Sequence, residues 1–288
     1  MMSKNSFKDF LFLTKPGIIF GNLITALSGY FLASKGDFNF SILLFMLLGL
    51  SFVIASGCIF NNIIDKQYDK IMERTKNRAL AKETISNSSA FIFGLICHFI
   101  GLYLLIDFVN LKTAAYAFAG FFTYVFIYSV LKYKTSVATL LGSISGAIPP
   151  VVGYCSVTNQ IDAACVVLFF IVVFWQMPHF YAISLYRLED YKKANIPVLP
   201  LVRGIKTTQL EMFFYVIGYF VACSSLYFLS AVGNLYFIGV TLIGLMWLIN
   251  AFRGFNCLNV QKWAKNMFKL SLVAVMVVSF LISYDWNV

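Results

Sequence analysis

Nine apolar runs follow one another along this chain, near residues 17–35, 39–61, 90–107, 113–131, 137–157, 163–185, 211–231, 234–251 and 266–284. Each approaches the ~20 residues that an α-helix needs to cross the hydrocarbon core of a bilayer. The runs are continuous rather than alternating, which argues against a transmembrane β-barrel. Composition agrees: of 288 residues, 60% are hydrophobic and 12% are charged, about half the charge of a typical soluble domain. So thin a polar coat would leave large apolar patches facing water. A soluble enzyme, a disordered chain and a collagen-like chain are excluded. The sequence predicts an all-α integral membrane protein, one domain over 1–288, with about nine transmembrane helices. The first run follows Lys4, Lys8, Asp9 and Lys15 and is long enough to span, so it reads as a helix and not as a cleaved signal peptide. Gly142, Gly146, Pro149 and Pro150 interrupt the fifth run, a break tolerated where neighbours or a cavity satisfy the freed backbone groups.

The charges are distributed unevenly between the two sides. Alternate connections fall on alternate sides of the membrane, and of the 22 Lys and Arg all but Lys35 and Lys112 lie on the side of the N-terminal tail. By the positive-inside rule that side is cytoplasmic, and an odd number of spans leaves the C-terminus outside. The long connections, 62–89 and 186–210, are also on the basic side, so function is expected there. The six cysteines show no CxxC pair or zinc spacing and read as small core residues. Nothing in the charge pattern calls for nucleic acid.

The most informative stretch is Asn61-x-x-x-Asp65-x-x-x-Asp69, followed by Glu73, Arg74, Lys76 and Arg78. Residues four apart lie on one helix face, which stacks an amide oxygen and two carboxylates where the second run leaves the apolar core. Like charges at that spacing repel unless a cation intervenes. Oxygen-only donors suit a hard ion, and Mg²⁺ is commonly held by one or two carboxylates plus substrate phosphates. The cations just beyond suit a polyanionic phosphate. A solvated helix end, with Asp65, Asp69 and Glu73 paired to Lys66 and Lys70, is the plainer alternative. Proximity to the apolar boundary, where ionisable groups are costly, favours function. The second long connection offers Arg187-Leu188-Glu189-Asp190-Tyr191-Lys192-Lys193 and then Asn195-Ile196-Pro197-Val198-Leu199-Pro200, carboxylates beside cations again.

With Met72-x-Arg74-Thr75-x-x-Arg78, the Asn/Asp pattern resembles the first signature of the membrane prenyltransferases of the UbiA superfamily. Lys15-Pro16, Gly146-Ala147-Ile148-Pro149-Pro150 and Trp175-Gln176-Met177-Pro178-His179-Phe180 narrow the resemblance to the branch that prenylates haem. The likeness runs from about residue 10 to the end. One departure stands out: many relatives carry a second Asp-x-x-x-Asp, and here Arg187 and Tyr191 occupy its two positions, leaving Glu189 and Asp190 between them.

The resemblance implies a helical bundle around a central cavity, with its active site at the cytoplasmic face of a bacterial inner membrane. It implies transfer of a farnesyl group from farnesyl diphosphate to a vinyl group of haem b, with a haem A synthase or terminal oxidase downstream. Asn61, Asp65, Asp69 and Asp190 are expected to hold Mg²⁺. Arg74, Lys76, Arg78, Lys132, Arg187 and Lys193 are expected to meet the diphosphate. Tyr124 and Tyr128, four apart, could stabilise an allylic cation through their ring faces; with 16 Tyr and 31 Phe in the chain, packing is the alternative. His179 is the expected haem contact, by iron ligation or a propionate bond. His98 sits mid-run without a motif and reads as structural. Two rivals remain. One is a relative acting on an aromatic acid or quinone precursor, against which the Trp175–Phe180 run argues. The other is a transporter, which would place its ion ligands nearer the bilayer midplane.

Overall fold

A computed structural model describes residues 7–286. After a short helix, Phe7–Leu13, nine helices among the described residues are long and apolar enough to cross a membrane. They are α1 (Pro16–Ser34), α2 (Phe40–Asp69), α3 (Asn87–Phe108), α4 (Leu111–Leu131), α5 (Ala138–Thr158), α6 (Ala163–Tyr186), α7 (Ile205–Phe228), α8 (Asn234–Asn256) and α9 (Val260–Tyr284). No strand occurs among the described residues. Large apolar side chains such as Phe99, Leu242 and Phe280 are more than half exposed, as expected of surfaces that face lipid rather than water.

Side-chain caps start many of these helices. Asn39, Ser86, Asn110, Asp162 and Asn259 each accept a bond from the backbone N–H three residues on, satisfying a donor that the first turn leaves free. α2 runs 30 residues, well past the expected apolar end at 61, and so carries all three of its polar oxygen donors on one continuous helix. α7 and α9 likewise begin about a turn and a half before their apolar runs. α5 divides at Ala147 into Ala138–Gly146 and Ile148–Thr158, because Pro149 and Pro150 suit the first turn of a new helix and not the interior of an old one. Pro178, by contrast, lies within α6 without ending it.

α1 and α5 cross at glycines. A Cβ on Gly29 would run into the Pro150 carbonyl, and one on Gly153 into the Ala26 carbonyl; small residues let membrane helices approach this closely. Gly153→Ala should therefore lower stability by about 1–3 kcal/mol, the cost of overpacking against backbone that cannot yield. Thermal unfolding in detergent measures it, and an unchanged Tm would contradict the crossing. At the end away from the charged loops, the Gly233 N–H donates to the Asp285 carbonyl (2.7 Å) and the Tyr236 N–H to the Asp285 carboxylate (2.6 Å). These bonds tie the C-terminal segment to the α7–α8 turn.

Candidate active site

Asn61, Asp65 and Asp69 are all buried on α2, at 2%, 7% and 5% exposure. Each meets a cation brought by a different segment, which is what makes such burial tolerable. The Lys132 ammonium lies 2.6 Å from Oδ1 and 2.7 Å from Oδ2 of Asp65. The Tyr133 hydroxyl donates to the same carboxylate at 2.6 Å. Arg78 Nη1 donates to both oxygens of Asp69 at 2.9 and 2.8 Å. Lys15 Nζ donates to Asn61 Oδ1 at 2.7 Å. Burial pushes the Lys15 ammonium down to about 8 and also lowers Lys132, against the pull of Asp65. Burial and then the Asp65 charge push the Tyr133 hydroxyl up, so it stays a donor.

Two local distortions aim these groups. Lys15 adopts a left-handed conformation, φ 53°, immediately before Pro16 opens α1; a non-glycine residue held there costs on the order of 1–3 kcal/mol. That turn places its side chain against α2. Within α4, Thr123–Tyr128 widens into a π-helical stretch, a feature that recurs at functional sites. There the Ser129 hydroxyl donates to the Tyr124 carbonyl at 2.8 Å and accepts from Asn61 Nδ2 at 2.9 Å.

The two long loops close over the carboxylates. Met72, Ala194 and Ile196 form a small apolar cluster flanked by Tyr68, Tyr133, Tyr191 and Val198, which explains the buried methionine of the first signature. Tyr68 and Tyr133 stack at 3.6 Å. Arg74 donates to the Tyr191 hydroxyl at 3.0 Å with its guanidinium 5.1 Å from that ring. Beneath lies a cavity of about 120 Å³, walled by Asp65, Asp69, Arg74, Arg78, Tyr128 and Lys132 together with α6 and the 196–198 segment. That is smaller than whole-ligand sites of about 300–1,000 Å³: it matches a charged headgroup and not an isoprenoid chain.

The structure thus brings together six of the residues that the sequence nominated. Others stand apart. Asp190 is half-buried on the short helix Leu188–Lys193 and does not line the cavity, whereas Tyr191 does. Adjacent helical residues point about 100° apart, and this short helix turns Tyr191 towards the cavity. Lys76 pairs with Glu73 at 2.5 Å on the surface, Arg187 rests over the Tyr186 ring at 5.4 Å, and Lys193 is exposed. None of the three lines the cavity. Tyr124 stacks behind Tyr128 at 5.6 Å, leaving Tyr128 alone of that pair on the wall. His179 faces α9: Nδ1 lies 2.8 Å from Ser271 Oγ, and the ring stacks on Trp175 and approaches Phe268. The Ser271 hydroxyl also lies 2.6 Å from the Phe268 carbonyl. His98 packs against Phe121 at 4.1 Å, with no partner for Nδ1 among the described residues, as a packing histidine would. Sequence reasoning missed Tyr133, Ser129 and the role of Lys15, all of which reach α2 from other segments.

No metal-binding group of three or more His, Cys, Asp or Glu side chains occurs among the described residues. Two buried carboxylates beside phosphate-type cations remain, and that oxygen-only donor set fits Mg²⁺ shared with a phosphate ligand.

Residues 22–273 match the UbiA prenyltransferase family. The chain is 47% identical over 276 residues to a protoheme IX farnesyltransferase of Protochlamydia amoebophila, covering 96% of this chain and 98% of that protein. It is 44% identical over 282 residues to one of Yersinia pseudotuberculosis, covering 98% and 96%. The fold matches that of a digeranylgeranylglyceryl phosphate synthase at TM-score 0.81 and 19% identity, covering 96% of this chain and 97% of that one. It also matches a UbiA homologue from Archaeoglobus fulgidus bound to DMAPP and Mg²⁺, at TM-score 0.69 and 13% identity, covering 96% and 99%. Signature residues, a nine-helix membrane bundle and near full-length identity agree: this chain belongs to the UbiA prenyltransferase family, among relatives named as protoheme IX farnesyltransferases.

Proposed function

We propose that this protein transfers the farnesyl group of farnesyl diphosphate to a vinyl group of haem b, in the presence of Mg²⁺, releasing diphosphate and giving haem O. One observation carries the reading: Asp65 and Asp69, buried one helical turn apart, each neutralised by a cation from another segment. The near full-length relatives named protoheme IX farnesyltransferase supply the substrate pair. Asp65 and Asp69 would hold Mg²⁺, with Asn61 alongside, and the ion's contribution is to neutralise charge developing on the leaving diphosphate. Lys132, Arg78 and Arg74 line the same cavity and are fixed cations for the phosphate oxygens. Lys76, Arg187 and Lys193, nearer the surface, steer the anion towards it.

The chemistry is an ionisation. The C–O bond to diphosphate breaks and its electron pair leaves with the phosphate, so C1 of the farnesyl group becomes an allylic cation. Tyr128 presents its ring on the cavity wall with Tyr124 stacked behind, a quadrupole suited to that cation. The haem vinyl attacks C1 and forms the new C–C bond. Water adds to the resulting cation and loses a proton, leaving a hydroxyl. The basic loops favour a site on the cytoplasmic face, which in a bacterial inner membrane would hand haem O to a haem A synthase or terminal oxidase.

Incubating the purified protein with haem b, farnesyl diphosphate and Mg²⁺ should yield a more hydrophobic haem on chromatography, heavier by one farnesyl group and one hydroxyl. Unchanged haem b alongside prenylation of an aromatic acid would overturn the acceptor assignment.

A further inference from the structure

A second cavity, of about 460 Å³, lies beside the first, and Ser136 lines both. The other shared partitions are α6 and the segment after Asn195. Phe180 and Ser184 face the charged cavity while Phe174 and Tyr181 face the second; Pro197 and Val198 belong to the first and Leu199 to the second. The second cavity is large enough for a small-molecule ligand, which the first is not. Its walls are mainly apolar and aromatic, with Phe174 and Tyr181 of α6 in ring contact with Tyr215 of α7 at 6.4 and 6.3 Å.

Its polar groups are few and arranged in series. The Tyr181 hydroxyl donates to Glu211 Oε2 at 3.0 Å, and Glu211 Oε1 lies 3.6 Å from Arg203 Nη1. The Arg203 side chain is 60% exposed and its pairing with Glu211 is loose. Most of its five N–H donors stay available for a planar carboxylate. Tyr181 anchors Glu211, and Glu211 orients the guanidinium. Arg203 directly precedes Gly204 and the start of α7, at the same loop-rich end as the carboxylates.

We infer that this cavity receives the acceptor: a planar tetrapyrrole carrying two carboxylate side chains, with its macrocycle against the aromatic wall and a carboxylate on Arg203. The inference rests on the function proposed above and adds the acceptor's place. Charge complementarity selects the occupant, since a flat apolar ring with an anionic edge matches an aromatic wall with one cation at its rim. Protohaem carries both propionates on one edge and its vinyl groups away from that edge. Anchoring a propionate at Arg203 leaves the vinyl side to meet the wall shared with the diphosphate cavity. His179, which does not line this cavity, is then a latch between α6 and α9 and not an iron ligand.

The test compares haem b with its dimethyl ester, using the full chain in nanodiscs. KM and kcat are measured for both substrates, alongside Soret titrations without farnesyl diphosphate. The wild type should favour the free acid about tenfold, the order expected for one charge-assisted hydrogen bond. Arg203→Gln should lose that factor for haem b and cease to distinguish acid from ester, with KM for farnesyl diphosphate unchanged. Arg203→Lys should keep part of the preference. If Arg203→Gln still discriminates as the wild type does, or if His179→Ala abolishes discrimination instead, the acceptor lies elsewhere and the inference falls. If the wild type binds both haems equally, the cavity recognises no carboxylate and the inference also falls. A wild type that discriminates in the titrations yet farnesylates neither haem would uphold the binding site while refuting the proposed reaction.

Discussion

Asp65→Asn is expected to lower kcat by roughly a hundred- to a thousand-fold, the usual loss when one preorganised electrostatic group at a leaving group is removed. Stability should also fall, because the substitution leaves Lys132, only 16% exposed, without its counter-ion. Breaking a buried pair costs about 3–5 kcal/mol. The lower end applies here, since burial lowers the Lys132 pKa and so makes loss of its proton less costly. The two losses separate in the double variant. Asp65→Asn with Lys132→Met removes both charges, and replacing a buried pair by groups of similar size is often neutral. Its Tm should return near that of the wild type while kcat stays low. Activity recovering together with stability would show that Asp65 serves only the fold. Asp190→Asn is the control from the second loop: with Tyr191 and not Asp190 on the cavity wall, kcat should change by less than about tenfold, short of the loss typical for a direct electrostatic contact.

The second large effect is expected at Arg78. It holds both oxygens of Asp69, and Asp69 is 5% exposed. Arg78→Met should cost about 3 kcal/mol, the low end for a broken buried pair because the arginine side chain is one-third exposed. It should also raise KM for farnesyl diphosphate, since a fixed cation at the headgroup cavity is gone. Arg78→Lys should recover part of the stability and little of the affinity, because an ammonium cannot reproduce the planar fork. Thermal unfolding and steady-state kinetics on the same preparations give both numbers. An arginine that merely braced the loop would lose stability and leave KM unchanged.

Much of this was legible in the sequence because membrane spans are read from length and hydropathy alone. All nine apolar runs coincide with helices. Their ends were less legible, since hydropathy marks where lipid stops and not where the helix does. α2 continues through Asp65 and Asp69 because neighbouring segments neutralise them, and no local pattern announces that help. The first signature translated directly into geometry, as i, i+4, i+8 spacing fixes a shared helix face. Tyr133 and Lys15 did not, because each acts across a gap in the chain of 68 or 46 residues. The left-handed turn at Lys15 and the π-helical stretch at Tyr128 have no clear residue code. Choosing between Asp190 and Tyr191 required the rotation of one short helix, which a single sequence without neighbours does not set.

The central claim is that Asp65 and Asp69 hold a metal ion together with the donor's diphosphate. Calorimetric titration with a non-hydrolysable thio-analogue of farnesyl diphosphate tests it most directly, on the wild type and on Asp65→Asn/Asp69→Asn, each with Mg²⁺ and with EDTA. The account predicts saturable one-site binding by the wild type in Mg²⁺, loss of that binding in EDTA, recovery when Mg²⁺ is added back, and no Mg²⁺-dependent binding by the double variant. Equal affinity in Mg²⁺ and EDTA, or a double variant that responds to Mg²⁺ as the wild type does, would contradict it.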